Sequence, residues 1–159
     1  MVKLQIISLQ VISSQSEIKL TEQLSVTPLQ VPHRDEYSET VGYIIKSNQK
    51  SVLFIPDIDK WDKWDLDIND IIKTVDYAFL DGSFYQNGEI PGRDMSQIPH
   101  PFITESMERF NVLEKHDREK VYFIHLNHTN PLLNRESVEF AQFSESDFNL
   151  AQEGDIISL

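Results

Sequence analysis

A chain of 159 residues is the size of one domain; its hydrophobic share of 40% is too high for a disordered segment, and no apolar run reaches the roughly 18 residues a membrane span needs. With 14 Lys and Arg against 26 Asp and Glu the net charge is −12, which repels a phosphate backbone and argues against nucleic acid as a partner. The absence of cysteine excludes disulfides and thiolate metal sites, and an N-terminus without a basic n-region or apolar h-region shows no secretory signal, so the expected location is the cytoplasm.

Residues 4–11 alternate apolar and polar side chains (Leu4, Ile6, then Leu9, Val11) and predict a strand almost at the first residue. A turn at Ser13 to Ser16, a short strand over 17–20 and a strand over 24–31 follow, the last delivering Pro32 and His33. Residues 41–47 and 51–55, joined by the polar turn Asn48-Gln49-Lys50, read as a β-hairpin that runs into Pro56-Asp57-Ile58-Asp59. Asp67 is placed to cap a short helix over 68–74. Residues 76–80 form a continuous apolar run of strand length bounded by the turn signal Asp81-Gly82-Ser83. Residues 84–97, rich in Gly, Pro and polar side chains, predict a functional or mobile loop. A helix over 103–113 follows from Ile103, Met107, Phe110 and Leu113 at helical spacing, opened by Thr104. Residues 120–126 are a second continuous apolar strand, ending in Asn127-His128-Thr129-Asn130-Pro131. The tail predicts a strand near 138–143, a short capped turn from Ser144, and a last strand over 155–159. No internal repeat or interdomain linker breaks residues 1–159, so the expectation is a single domain.

This order argues an α/β or α+β layer: one mostly antiparallel or mixed sheet with helices on one face. The central strands are apolar on both sides, so both sheet faces need cover. Two short helices cover one, which leaves the other for a second copy of the chain or a missing half, because a large exposed apolar sheet aggregates.

Five histidines occur, at positions 33, 100, 116, 125 and 128. His33, His125 and His128 fall at predicted strand ends, as do Asp57, Asp59 and Asp81, and imidazoles and carboxylates converging from neighbouring strand ends suit Zn²⁺, Mn²⁺ or Fe²⁺. The competing explanation is that each is a turn residue making local hydrogen bonds. His100, between Pro99 and Pro101, divides between stiffening its loop and touching a substrate; His116 reads as a solvated helix end. Glu36 and Glu39 are possible general bases, though hydrogen bonding to their own turn competes with that role. Trp61 and Trp64 suit packing better than a pocket mouth. Ser38 and Ser83 lack a G-x-S-x-G context, and there is neither a glycine-rich phosphate loop nor a dinucleotide fingerprint.

Val31-Pro-His-Arg-Asp-Glu-Tyr-Ser-Glu-Thr-Val-Gly-Tyr43, Ile55-Pro-Asp-Ile-Asp-Lys-Trp61, Leu80-Asp-Gly-Ser-Phe-Tyr85, Ile98-Pro-His-Pro-Phe-Ile103 with Glu105-Ser-Met107, and Phe123-Ile-His-Leu-Asn-His-Thr-Asn-Pro131 together resemble the C-terminal half of the metallo-β-lactamase superfamily. The resemblance is to the branch of the coenzyme pyrroloquinoline-quinone (PQQ) synthesis protein B. It implies half of an αββα sandwich whose two sheets pack face to face, with a metal site at one edge between the halves. It also implies that His33 is the ligand at the start of this half, Asp57 the carboxylate that bridges or supports the metal, and His125 the final ligand. The branch shows Asn where this chain has His128, so no metal role passes to His128. The superfamily's His-x-His-x-Asp-His cluster belongs to the N-terminal half, and no such motif occurs here.

The expected function is therefore that of a metal-dependent hydrolase-type enzyme, or the C-terminal half of one, inactive alone. Zinc is the expected ion, with iron or manganese as alternatives; His33, Asp57 and His125 are the expected ligands, and Asp59, Asp81 and Glu39 the residues that position water or neighbouring ligands. Two alternatives stand beside it: an iron-dependent oxygenase-type step in quinone cofactor maturation, and a metal-free scaffold subunit. The expected partners are a small-molecule substrate and either a second copy of the chain or a companion N-terminal half.

Overall fold

The computed structural model describes residues 8–159. Seven strands form one sheet in sequential order: β1 (Ile18–Lys19), β2 (Leu24–Val31), β3 (Thr40–Ser47), β4 (Ser51–Ile55), β5 (Tyr77–Asp81), β6 (Val121–Ile124) and β7 (Asn149–Leu150). β1 to β4 pair antiparallel and β4 to β7 parallel, so the sheet is mixed. β2 is antiparallel to β3 and β3 to β4, so β2, β4, β5 and β6 all run the same way and end on one edge. That edge receives the residues that follow each strand: His33, Asp57, the Asp81 turn and His125. Four helices complete the fold: α1 (Ile68–Lys73), α2 (Ile103–Phe110), α3 (Lys115–Arg118) and α4 (Val138–Ser144).

Alternation along the strands decides which side chains the helices cover. Leu53, Ile55, Ala78, Leu80, Val121 and Phe123 point to the helical side and are fully buried. They meet Ile68 and Ile72 of α1, Ile103 and Phe110 of α2, and Phe143 of α4. The Asp67 side chain accepts the Asn69 N–H and caps α1, as its position in the sequence predicts. At the start of α2 the cap is Phe102, not Thr104, and the Glu105 carboxylate reaches back 2.8 Å to the Phe102 N–H, one half of a capping box.

Among the described residues no helix covers the opposite face, and residues 155–157 border it at Phe79 and Tyr122. Cross-strand register lines up Tyr43, Phe54, Phe79 and Tyr122 in one aromatic row over β3 to β6. Phe79 and Tyr122 stack with ring centroids 5.2 Å apart, and Phe54 is 37% exposed. Tyr43, Phe79 and Tyr122 are half-buried, so of the row only Phe54 counts as exposed.

Three predicted strands are not found among the described residues. Of the predicted strand over 4–11, residues 4–7 lie outside the described part, and residues 8–11 carry no strand. The predicted strand over 138–143 is the helix α4: the Ser137 side chain accepts the Phe140 N–H, and Phe140 and Phe143, three apart, turn to the core. The predicted strand over 155–159 is absent and β7 takes the place beside β6. After β7 the Asp155 carboxylate accepts the Gln152 N–H, Gly154 has a φ of 93°, and residues 155–157 run beside Phe79 and Tyr122 without pairing as a strand. The loop over 84–97 is packed. Phe84, Met95, Ile98 and Phe102 form a small core of their own, and the Glu89 carboxylate accepts from the Tyr85 N–H and from the Thr129 hydroxyl. Among the described residues no helix is long and apolar enough to cross a membrane.

Gly82 lies where the end of β5 presses on β6: a Cβ there meets Phe123 Cβ at 2.9 Å and the Ile124 carbonyl at 3.1 Å. Neither neighbour is a flexible chain end, so Gly82→Ala is expected to destabilise the fold by about 1–3 kcal/mol. The shift of the urea midpoint at constant m-value measures it.

Candidate metal centre

Asp81 ends β5 with no exposure to solvent, and a carboxylate in that position needs donors. It has three. Oδ1 accepts the Ser83 N–H at 2.8 Å; Oδ2 accepts the Ile58 N–H at 3.2 Å and lies 2.7 Å from Nδ1 of His100. A carboxylate only accepts, so Nδ1 of His100 carries the proton and Nε2 is turned elsewhere. One buried side chain thus fixes the loop after β4, the turn after β5 and a histidine from the loop before α2.

Asp57 and His33 face each other across the ends of β4 and β2. Nε2 of His33 and Oδ1 of Asp57 are 3.0 Å apart, yet out of line for a hydrogen bond, and neither atom has another hydrogen-bond partner although both are shut off from solvent. Nδ1 of His100 lies 3.6 Å from the same Asp57 oxygen. His33, Asp57 and His100 each bring one ligand-type atom within 4.8 Å of the others. Two buried polar atoms aimed at one point and left unpaired are what a divalent cation between them would satisfy. Imidazole and carboxylate donors without thiolate suit Zn²⁺, Mn²⁺ or Fe²⁺.

Of the other expected site residues, His125 is adjacent, its ring 6.3 Å from that of His100. Its φ is 63°, a left-handed conformation uncommon for a residue with a Cβ, and Oγ of Ser83 lies 3.1 Å from its Nδ1. Asp59 is a clamp. Its N–H donates to the Pro32 carbonyl, tying the His33 turn to the Asp57 loop, while its carboxylate takes Lys63 Nζ and the Lys60 N–H, both at 2.7 Å. Burial raises its pKa, but the Lys63 and Lys60 hydrogen bonds outweigh that and hold the carboxyl below its ordinary range. Glu39 is exposed, without a hydrogen bond or ion pair among the described residues. His128, with Ser83, Phe84, His100 and His125, lines an open hollow of about 280 Å³ beside the cluster. His116 sits on α3 between Glu114 and Asp117, away from the site.

Sequence reasoning divided His100 between loop rigidity and substrate contact and did not count it with the ligands. A partial signal was present in Pro99-His100-Pro101, whose prolines stiffen the backbone around the histidine; the ring itself is held by Asp81, which no local pattern shows.

A family model described as the beta-lactamase superfamily domain matches residues 2–126. The coenzyme PQQ synthesis protein B of Acinetobacter baumannii (strain AYE) is 29% identical over 147 residues, covering 85% of this chain and 46% of the relative. The protein of the same name from Nitrosococcus oceani is 27% identical over 143 residues, covering 84% and 45%. The chain spans about half the length of these curated relatives. Among solved structures, zinc-bound PqqB from Methylobacterium extorquens superposes with a TM-score of 0.76 at 22% identity, over 94% of this chain and 55% of that one. The metallo-β-lactamase fold protein YhfI from Bacillus subtilis gives 0.58 at 14% identity, over 94% and 58%.

Burial opposes a charge on His100, but the hydrogen bond to Asp81 and the charges of Asp81, Asp57 and Asp59 outweigh it, so its pKa stands above the ordinary 6.5. The native state therefore holds this proton more tightly than the unfolded chain. The resulting stability is fully present below 6.5 and is lost as pH rises through the raised native value. NMR titration is expected to find His100 above 6.5 in the native chain and lower in Asp81→Asn, where the carboxylate charge is gone.

Proposed function

The chain belongs to the beta-lactamase superfamily, and we propose that it carries one half of a hydrolytic metal site, in which His33, Asp57 and His125 hold a Zn²⁺ ion. The observation that carries this reading is the unpaired couple of buried atoms, Nε2 of His33 and Oδ1 of Asp57. The zinc in the PqqB relative supports the choice of ion, and the nitrogen and oxygen donor set here agrees with it. Bound Zn²⁺ supplies a polarised substrate oxygen or a hydroxide at neutral pH.

The chain's own groups do the rest. Asp81 holds His100 by its Nδ1 and raises its pKa, which fixes the imidazole beside His33 and Asp57, where it can orient a substrate or contribute to the ion's surroundings. Asp59, neutralised by Lys63, keeps the His33 turn and the Asp57 loop in register. The hollow lined by Ser83, Phe84 and His128 borders His100 and His125 and is where a substrate would enter. The curated relatives carry the name of a PQQ synthesis protein, which supports a step in quinone cofactor maturation as the setting. In that setting Fe²⁺ and an oxygenase-type step form a second reading, compatible with the same donors.

Three ligands leave a site open, and the aromatic row across β3 to β6 leaves a sheet open. Both call for a second β-layer of about this chain's size, as the relatives' twofold length suggests. A second copy is the weaker candidate, because each carries a net charge of −12.

Calorimetric titration with Zn²⁺ is expected to show one site on the chain. His33→Ala and Asp57→Ala are expected to weaken it by at least tenfold, while His128→Ala leaves it unchanged. Stoichiometric failure of the wild-type chain to bind any of Zn²⁺, Fe²⁺ or Mn²⁺ would favour the scaffold reading instead. The open face is expected to bind an apolar dye such as ANS, and Phe54→Lys to reduce that fluorescence while changing stability by no more than about 0.5 kcal/mol.

A further inference from the structure

Ser83 is 4% exposed and is held from three sides. Its N–H donates to Asp81 Oδ1, its carbonyl accepts the Asn127 N–H at 2.9 Å, and the neighbouring Gly82 carbonyl accepts from the Asn130 side chain. The turn after β5 and the segment after β6 are thus fastened together, and the fastening puts the Ser83 hydroxyl beneath one ring. Oγ lies 3.1 Å from Nδ1 of His125 and 3.4 Å from the carbonyl of the same residue.

The hydroxyl has one proton and two candidate acceptors, and the choice decides which nitrogen of His125 is free. If the proton points at Nδ1, the ring carries its own proton on Nε2 and presents N–H to the site. If it points at the carbonyl, Oγ accepts from an Nδ1–H and Nε2 is left with a bare lone pair. The contact of Oγ with the His125 carbonyl favours the second arrangement: a hydroxyl that donates to that carbonyl has only lone pairs left for Nδ1, and the left-handed residue, with φ 63°, has ring and carbonyl both within reach of this one oxygen. The same pattern holds next door, where Asp81 takes the Nδ1 proton of His100.

We propose that Ser83 is a positioning residue whose hydroxyl accepts a hydrogen bond from Nδ1–H of His125 while donating its own proton to the His125 carbonyl, and so keeps that histidine in the Nδ1–H tautomer, its Nε2 free to bind a metal ion. The proposal rests on the reading of His125 as a ligand, and it explains why a strained backbone is kept at this position: the twist brings ring and carbonyl to one hydroxyl. Histidine ligands of metals owe much of their affinity to such a fixed second nitrogen.

The test separates tautomer from metal affinity. Long-range ¹H–¹⁵N correlation spectra of the metal-free chain, at alkaline pH where imidazoles are neutral, assign the protonated nitrogen of His125 directly. The expected result is Nδ1–H in the wild type and in Ser83→Thr, and a shift to mainly Nε2–H in Ser83→Ala. Titration with Co²⁺, followed by its visible absorption, is expected to show binding weakened by roughly 10- to 100-fold in Ser83→Ala and restored in Ser83→Thr. Nε2–H in the wild-type chain overturns the proposal without any variant having to fold, and so does an unchanged tautomer in Ser83→Ala. A tautomer that follows Ser83 while Co²⁺ binding ignores His125→Ala leaves the positioning intact and sinks the ligand reading on which it was built.

Discussion

The arrangement of the site depends on one buried negative charge. Asp81 has no water to solvate it, so the fold has to deliver N–H groups to both of its oxygens, and it draws them from three separate segments. A buried carboxylate that lost one of these donors would cost far more than an exposed ion pair gains, because desolvation is not recovered elsewhere. The requirement works in both directions. Satisfying Asp81 forces the Asp57 loop, the Ser83 turn and His100 into fixed relative positions, and those positions bring the ligand-type atoms together. Electrostatics follow from the same geometry: burial opposes a charge on His100, but the carboxylates that surround it raise its pKa.

Much of the scaffold was legible in the sequence, for identifiable reasons. β2 and the β3–β4 hairpin show alternation or turn chemistry that admits one reading, and β5 and β6 are short apolar runs ended by Asp-Gly-Ser and Asn-His-Thr. The segment at α4 misled because Val138 and Phe140 alternate as in a strand, whereas the Ser137 cap and the pair Phe140 and Phe143 carry the helical signal. The site was legible in part. His33 and Asp57 stand at strand ends, where position along the chain reveals position in space. His100 arrives by a long loop whose path depends on its own small apolar core, and no local pattern announces where such a loop ends. Asp81 was singled out as a residue that positions its neighbours, but which segments it ties together was not readable, because its partners Ile58 and His100 are distant along the chain.

The four-membered aromatic row and the unpaired atoms of His33 and Asp57 are the apolar and polar features on which the proposed second layer rests: in a two-layer sandwich, the face that packs against the other layer and the edge that carries the metal are contiguous. The helical side shows no such deficit, with Leu53, Ile55, Ile72, Ile103 and Phe110 fully enclosed.

The strands lie in the order in which they occur along the chain, from β1 at one margin to β7 at the other. Each strand emerging during synthesis thus finds its neighbour already laid down, and no later segment has to be inserted between two earlier ones. Growth from a single margin means that each loop closure, even the long one from Asp81 to Val121, joins a new strand to the current edge and leaves the pairs already made undisturbed.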